Sequence, residues 1–341
     1  MKFGIIGLER SGKSTIFEAL TKTTAPAESK AEDRIATIKV PDQRVDRINE
    51  IYKLPKTIYA QIEYFLPGSK MSQAKDQTMW TAVRDSDALI HVLRNHAGYG
   101  FETQTPQADF IKLDQELILN DLFIAEKRLE RIELDHKRGK KMNPDEHSLL
   151  VECQKQLENE VPLRRFPELA TAHLLKGFGF LSAKPTLVVF NNEDDNDTLP
   201  DIRELTNAED CLVIRGKLEQ ELAQMSAEEA AEFLMEFNIA TSAMDRVIQH
   251  SYGFLDLISF FTIGKKEIRA WTIKKDTTAV DAAEVIHTDM KRGFIRAEVV
   301  SFEDLMAAGS YAEARKNGTV RLEGKTYSVQ DGDIIYFRFN V

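Results

Sequence analysis

The feature that most constrains the fold of this chain is a glycine-rich octapeptide near its N-terminus. Residues 7–14, GLERSGKS, match the pattern G-x-x-x-x-G-K-[ST] at every specified position, and they follow an apolar, β-prone run, KFGII, at residues 2–6. A strand, a glycine turn and a helix in this order form a phosphate-binding loop, whose consecutive backbone N–H groups surround an anion. The sequence therefore predicts an α/β fold built around a P-loop.

The same pattern predicts a role for each position of the loop. Lys13 is expected to contact the β- and γ-phosphates of a nucleotide, and the Ser14 hydroxyl is expected to bind Mg²⁺. Glycine at positions 7 and 12 permits backbone angles and close approaches that a Cβ would block. The predicted phosphate-binding residues are Gly7, Glu9, Arg10, Ser11, Gly12, Lys13, Ser14 and Thr15.

A second strand is predicted to carry the residues that contact the base. Residues 186–190, TLVVF, are typical of a buried parallel strand, and ligands of such sheets bind at the C-terminal ends of strands. The predicted base contacts that follow this strand are Asn191, Asn192 and Asp194. Asn192 occupies the position of the lysine in the guanine-specific pattern N-K-x-D, so the choice between ATP and GTP stays open. The alternative is a turn rich in Asn and Asp that only ends the strand.

The metal and switch positions depart from the usual pattern. P-loop enzymes have an acidic residue at the end of a second strand that supports the magnesium shell. The corresponding strand, predicted at residues 59–65, runs into Leu66 with no Asp. No catalytic base can be assigned. We expect weak Mg²⁺ binding and slow hydrolysis.

Charge and apolar patterning restrict the partners. The 341-residue chain has 45 basic and 55 acidic side chains, a net charge of −10, which disfavours coating of bare nucleic acid or anionic membrane. No stretch reaches 18 apolar residues, and the N-terminus does not resemble a signal peptide. We therefore expect a cytoplasmic protein without membrane contact, and we expect a monomer.

Two long helices are predicted between the P-loop and the base-contacting strand. Residues 115–137 form one amphipathic pattern, and a second helix is predicted from about Pro144 to Asn159, with Asn143 as its N-cap. Together they predict an antiparallel arm. The residues expected at its tip are Lys137, Arg138, Lys140 and Lys141. They are the candidate contact to RNA or to the ribosome, and a solvated loop is the alternative.

The C-terminal part, about residues 257–341, alternates short β-rich runs with glycine turns. The runs lie at residues 268–273, 319–322 and 334–339, and with a helix near residues 279–287 they form a β-grasp pattern. This part, and the chain nearly end to end, resembles the Obg-like ATPases, the YchF family of translation-factor-type P-loop proteins. The blocks that carry the resemblance are FFT at 260–262, KKEIRAWTIKK at 265–275, VIHTD at 285–289, GFIRAEV at 293–299 and VQDGDIIYFRFNV at 329–341.

The resemblance implies a TGS domain at the C-terminus, a helical coiled-coil-like arm and acceptance of ATP as well as GTP. The chain departs from the family pattern at its nucleotide site. Leu66 stands where the family has the Asp of its Asp-x-x-Gly motif, and residues 191–194 replace an Asn-Val-x-Glu motif. The family's switch I, which bears a magnesium-binding threonine, is shortened here to Ala25–Ile38, with Thr37 as the candidate for that threonine. Switch II is reduced to Ser69–Trp80.

These patterns predict a translation-factor-type G domain in two parts, residues 1–111 and 166–256, with the arm at 112–165 and the TGS domain at 257–341. The predicted function is binding of ATP or GTP with weak Mg²⁺-dependent hydrolysis, in a regulator that contacts the ribosome or RNA through the arm and the TGS domain. The alternative is a scaffold that contacts the ribosome or a protein independently of nucleotide.

Overall fold

The structure is a computed structural model that describes residues 1–23, 32–68, 78–97, 105–236 and 241–340. The strands are β1 (Lys2–Ile6), β2 (Arg34–Lys39), β3 (Lys56–Ile58), β4 (Gln61–Leu66), β5 (Ala88–Asn95), β6 (Thr186–Asn192), β7 (Asp210–Ile214), β8 (Leu257–Ile263), β9 (Glu267–Lys274), β10 (Phe294–Val300), β11 (Arg321–Glu323) and β12 (Ile334–Phe339). Chain contacts divide these elements into two compact units, residues 1–37 with 63–247 and residues 38–62 with 248–341.

The helices that separate the strands vary widely in length. They are α1 (Lys13–Thr21), α2 (Gln43–Tyr52), α3 (Thr78–Arg84), α4 (Pro106–Lys137), α5 (Pro144–Glu158), α6 (Pro167–Ala170), α7 (Arg203–Thr206), α8 (Gly216–Leu222), α9 (Ala227–Glu236), α10 (Ala243–Phe254), α11 (Ala279–Ile286), α12 (Thr288–Arg292), α13 (Phe302–Ala308) and α14 (Tyr311–Lys316). Two 3₁₀ helices, Leu163–Arg165 and His173–Phe178, follow α5.

The first unit is built on a six-stranded sheet with strand order β2-β4-β1-β5-β6-β7. Strand β1 pairs in parallel with β4 and β5, and β6 pairs in parallel with β5 and β7. All seven residues of β6 are buried, which confirms the strand predicted from TLVVF. The strand predicted at residues 59–65 is observed slightly later, as β4. Parallel pairing brings the C-terminal ends of these strands to one edge, where ligands of such sheets bind.

The arm is the pair α4 and α5. The side chain of Gln115 bonds Glu160 at 3.3 Å and that of Arg128 bonds Glu146 at 2.8 Å, so the paired positions run in opposite directions and the helices are antiparallel. Asn143 caps α5 as predicted, because its side chain accepts from the backbone N–H groups of residues 145 and 146.

Helix α4 is longer than predicted, since it begins at Pro106 rather than near residue 115. Proline fits the first turn, where its missing N–H costs no bond, and Phe110 and Leu113 bury the added turns against the sheet core. The root of the arm is therefore packed on the parallel sheet.

The second unit contains a mixed sheet of order β11-β10-β12-β8-β9-β3. Strand β12 has the bounds predicted for it, and helix α11 buries Ala279, Ala282 and Ala283 in the core of this unit, as the β-grasp pattern predicts. The sequence-based boundaries assigned residues 38–62 to the P-loop part. In the structure, β3 instead pairs in parallel with β9, and Arg44 of α2 forms a 2.7 Å ion pair with Asp331. These long-range contacts group residues 38–62 with the C-terminal strands.

Candidate functional site

The octapeptide at residues 7–14 forms a tight turn between β1 and α1. Gly7 has a φ of +156° and Gly12 a φ of +94°, angles that side-chain-bearing residues rarely adopt. A Cβ on Gly7 would lie 2.5 Å from the Val92 carbonyl oxygen, and a Cβ on Gly12 would lie 2.1 Å from the Asn191 amide nitrogen. Both glycines are therefore required by geometry, the first by the neighbouring strand and the second by a distant side chain.

The loop and the start of α1 leave hydrogen-bond donors without partners among the described residues. Residues Lys13, Ser14 and Thr15 occupy the first turn of α1, whose backbone N–H groups have no partner within the helix, and the helix dipole adds positive potential there. The Ser11 hydroxyl is buried and has no hydrogen-bond partner among the described residues. These orphaned donors fit an anion. Glu9 and Arg10 are exposed.

Lys13 extends its ammonium group back across the loop. Its Nζ donates to the carbonyl oxygens of Gly7 at 2.8 Å and Leu8 at 2.7 Å. Burial lowers the pKa of Lys13 to about 8, and the negative charge of Glu9 opposes that shift. The positive charge of this lysine thus lies within the loop and is sensitive to pH just above neutrality.

Asn191 connects the loop to the turn that follows β7. Its Nδ2 donates to the Ser11 carbonyl at 3.1 Å, and its Oδ1 accepts from the Gly216 N–H at 3.1 Å. The residue is 5% exposed, and a Cβ on Gly216 would lie 2.4 Å from its Oδ1. The amide that the sequence predicts as a base contact is therefore used on both sides by protein atoms.

The other two predicted base contacts differ from each other. The Asn192 amide is 3% exposed and is also used twice, since it donates to the Thr198 carbonyl at 2.9 Å and accepts from Asn95 at 2.8 Å. Asp194 is half-buried, and one carboxylate oxygen accepts from the Leu218 N–H at 3.2 Å. Of the three side chains, Asp194 is the one placed to reach a ligand.

The sequence-based reasoning missed residues 215–217, where α8 begins. Gly216 bonds Asn191, and the Arg215 guanidinium donates to the Asp194 carbonyl at 3.4 Å, so the start of α8 completes the edge that carries the predicted base contacts. The signal available in the sequence is a glycine two positions after a strand-like run, CLVI.

The metal region combines a hydroxyl with an apolar strand end. Ser14 lies in the first turn of α1, and its hydroxyl forms no hydrogen bond within the part of the chain that the structure describes, so it fits a ligand of Mg²⁺. Leu66, where an acid was expected, is 3% exposed. Thr37 lies within β2 with an exposed side chain. Residues 24–31 and 69–77, which hold most of the predicted switch segments, lie outside the described residues. Among described residues, no three His, Cys, Asp or Glu side chains group as a metal site.

His91 lies in the middle of β5 and is buried. Burial, together with the positive charges of Arg164 and Lys13, lowers the pKa of its imidazole to about 3. The ring stacks on Phe110 with centroids 5.2 Å apart. A neutral imidazole packed between the sheet and α4 has a structural role, and the structure gives no reason to assign it to catalysis.

Basic side chains, including the four predicted at the arm tip, occur in several segments of the chain. Lys137, Arg138, Lys140 and Lys141 are all exposed where α4 ends, and Lys140 pairs with Asp135 at 2.9 Å. Within the second unit, Lys291 pairs with Asp281 and Glu284. Lys265 and Lys266 lie in the β8–β9 turn, at the opposite end of β9 from Lys274 and Lys275. Trp271 is half-buried, donates to Thr262 at 3.0 Å and carries the Arg269 guanidinium 4.1 Å from its ring centroid.

No helix in the described ranges is long and apolar enough to cross a bilayer.

Comparisons with known proteins give consistent results. A family model named for the C-terminal part of the YchF GTPases, and described as "Protein of unknown function (DUF933)", matches residues 257–340. The chain is 36% identical to a protein of Bacillus subtilis named "Ribosome-binding ATPase YchF", over 99% of each chain. It is 34% identical to the protein of the same name from Escherichia coli O157:H7, over 100% of this chain and 99% of that one.

Two solved structures are similar over the whole chain. The Schizosaccharomyces pombe YchF GTPase has a TM-score of 0.81 and 25% identity, over 99% of this chain and 97% of that one. A GTP binding protein from Pyrococcus horikoshii has a TM-score of 0.60 and 18% identity, with both chains fully covered. The second likeness supports the fold alone.

Proposed function

This chain belongs to the YchF family, and we propose that it binds ATP or GTP at residues 7–15 and hydrolyses the nucleotide slowly. The observation that carries the proposal is the loop itself. Two glycines with φ of +94° and +156° hold a turn whose first helical N–H groups and Ser11 hydroxyl lack partners in the described structure, with one ammonium group beside them. The family relationship supports the same conclusion, because the bacterial relatives are named ATPases.

The residues of the chain account for binding and charge neutralisation. The Lys13 ammonium donates to the Gly7 and Leu8 carbonyls. With a nucleotide bound, it would donate to the β- and γ-phosphates instead, and the backbone N–H groups of the loop would bind the remaining phosphate oxygens. Ser14 would hold Mg²⁺, which when bound supplies neutralisation of charge on those phosphates. Asn191 would act indirectly, since it fixes the loop through Ser11.

Discrimination between bases depends on few side chains. Asp194 retains a carboxylate at the strand edge, while the amides of Asn191 and Asn192 are occupied within the protein. A lysine that would stack on guanine is absent from position 192. We therefore expect ATP and GTP to bind with similar affinity.

The arm and the C-terminal unit are the proposed contacts to the ribosome or its RNA. The relatives in Bacillus subtilis and Escherichia coli are named ribosome-binding. Four exposed basic residues at the arm tip stand out against a net charge of −10 and suit a phosphate-rich partner: Lys137, Arg138, Lys140 and Lys141. We further propose that residues 257–341 are a TGS domain and that the protein acts as a cytoplasmic monomer.

The alternative is a scaffold that contacts the ribosome without regard to nucleotide. Leu66 favours it, because an apolar side chain ends the strand that carries an acid in active P-loop enzymes. One measurement distinguishes the two functions. Co-sedimentation with ribosomes should depend on added ATP or GTP if the loop acts as a switch, and it should be unchanged if the protein is a scaffold.

Binding itself is tested by titration calorimetry with ATP and with GTP in the presence of Mg²⁺. We expect micromolar affinity for the wild-type protein and loss of measurable heat in Lys13→Ala, because the Lys13 ammonium supplies the positive charge that balances the phosphates. The matched control is Lys112→Ala, which removes an exposed lysine from α4 and should bind as the wild type does. Absence of heat with both nucleotides for the wild-type protein would reject the proposal.

A further inference from the structure

The end of β4 is apolar where a carboxylate would support a magnesium ion. Strand β4 is a parallel neighbour of β1, with Gly4 opposite Phe65, so Leu66 ends beside the strand that leads into the phosphate loop. Its side chain is 3% exposed and offers no oxygen. If Mg²⁺ binds together with a nucleotide, a carboxylate for its shell must come from another segment.

Asp33 reaches the same place from the residues that precede β2. Its Oδ1 accepts a hydrogen bond from the Gly68 backbone N–H at 2.9 Å, two residues beyond Leu66. The carboxylate of Asp33 therefore lies at the C-terminal edge of the sheet, where β4 ends, although the two residues are 35 positions apart in sequence.

Arg34, the residue after Asp33, connects the start of β2 to α1, the helix of the phosphate loop. Arg34 pairs with Glu18 of α1 at 2.8 Å, with side chains 11% and 7% exposed, and its guanidinium lies 4.9 Å from the Phe17 ring centroid. Glu18 lies one helical turn after Ser14 and on the same face of α1. The segment is thus held on one side to the end of β4 and on the other to the helix that carries the magnesium-binding hydroxyl.

We propose that Asp33 supplies the carboxylate of the magnesium shell that Leu66 cannot supply, acting with Ser14. The inference rests on the proposed nucleotide binding, because Mg²⁺ takes only one or two protein carboxylates and shares the phosphates of its ligand. Other carboxylates are less suited. Glu18 is committed to Arg34, and Glu63 lies three residues before the strand end and faces Lys2 at 3.9 Å.

A purely structural role for Asp33, as an acceptor for Gly68, is the competing explanation. The substitution Asp33→Asn separates the two, because the amide oxygen of Asn can still accept from the Gly68 N–H but carries no negative charge. Glu32→Gln is the matched control, since it removes one negative charge from the adjacent exposed residue.

The experiment measures the affinity of fluorescent ATP and GTP analogues in EDTA and in Mg²⁺, and the affinity of the protein–nucleotide complex for Mn²⁺ by electron paramagnetic resonance. For Asp33→Asn we expect nucleotide affinity in EDTA within about twofold of wild type and Mn²⁺ affinity lowered about tenfold or more. The gain in nucleotide affinity caused by Mg²⁺ should be lost as well. Glu32→Gln should retain both.

Three results would overturn the inference. If Asp33→Asn keeps the full gain from Mg²⁺, nucleotide binding stands and Asp33 is not in the metal shell. If the variant loses affinity equally in EDTA and in Mg²⁺, the role of Asp33 is structural. If the wild-type protein binds neither analogue in EDTA or Mg²⁺, the proposed function fails and the assignment of Asp33 fails with it.

Discussion

The two asparagines at the end of β6 allow a sharp test of how the phosphate loop is held. Asn191→Ala removes two hydrogen bonds, one to the Ser11 carbonyl and one from the Gly216 N–H, both at 3.1 Å and buried. A neutral hydrogen bond contributes about 0.5–1.5 kcal/mol, and a buried group left without a partner costs about 1–3 kcal/mol. The expected decrease in the free energy of unfolding is about 2–4 kcal/mol, measured by urea denaturation.

The same change should weaken nucleotide binding, because Ser11 lies within the loop and Asn191 is its anchor to the sheet. If about 1.4 kcal/mol of the lost energy held the loop in its binding conformation, the affinity for a fluorescent ATP analogue falls about tenfold. Asn192→Ala is the matched control. It also removes two amide hydrogen bonds, to Thr198 and Asn95, which are part-buried, and neither partner belongs to the loop.

The reasoning predicts similar losses of stability for the two variants and a loss of nucleotide affinity for Asn191→Ala alone. Equal affinity losses would refute it, because Asn192 would then contact the base or the loop would depend on general stability. Unchanged affinity in Asn191→Ala would refute it too, since the loop would then keep its conformation without the anchor.

Two further predictions concern charge. Burial lowers the pKa of Lys13 from 10.5 in the unfolded chain to about 8 in the folded protein, so the unfolded chain binds more protons between these pH values. The contribution of Lys13 to the free energy of unfolding should therefore rise as the pH increases from about 8 to 10.5. The measurement is the difference in urea midpoint between wild type and Lys13→Met as a function of pH. Nucleotide affinity should fall over the same interval as the ammonium is lost, and a flat profile would contradict the burial of this lysine. The second prediction concerns the four basic residues at the arm tip, Lys137, Arg138, Lys140 and Lys141. Their replacement by Gln should weaken ribosome co-sedimentation about tenfold and reduce its salt dependence. Lys112→Gln, the control, should leave both unchanged.

Features that depend on contiguous residues were predictable from the sequence. The phosphate loop, the buried strand β6, the Asn143 cap and the bounds of β12 all follow from spacing and composition within a few neighbouring positions. The start of α4 was missed, because its first turns are stabilised by the sheet core beneath Phe110 and Leu113 rather than by the helical pattern itself.

Features that depend on a distant partner were not predictable in this way. The spacing of residues 191–194 predicts contacts to a base, and it does not predict the bonds that the Asn191 and Asn192 amides form with protein atoms. The partner of Asn191 in the loop, Ser11, lies 180 positions away in the sequence. A pattern that marks a strand end cannot specify which neighbour its amide meets, since that depends on the order of strands in the sheet.

The sequence by itself determined that a strand, a turn with glycines at positions 7 and 12 and a helix that begins at Lys13 follow one another, because backbone angles and helix ends are local properties. The tertiary structure alone decided that Asn191 anchors that turn, that residues 38–62 join the second sheet, and that Asp33 lies beside the apolar end of β4. Each of these depends on which segments the packed sheets bring together, and chain packing, unlike helix or turn geometry, is set by contacts between residues far apart in sequence.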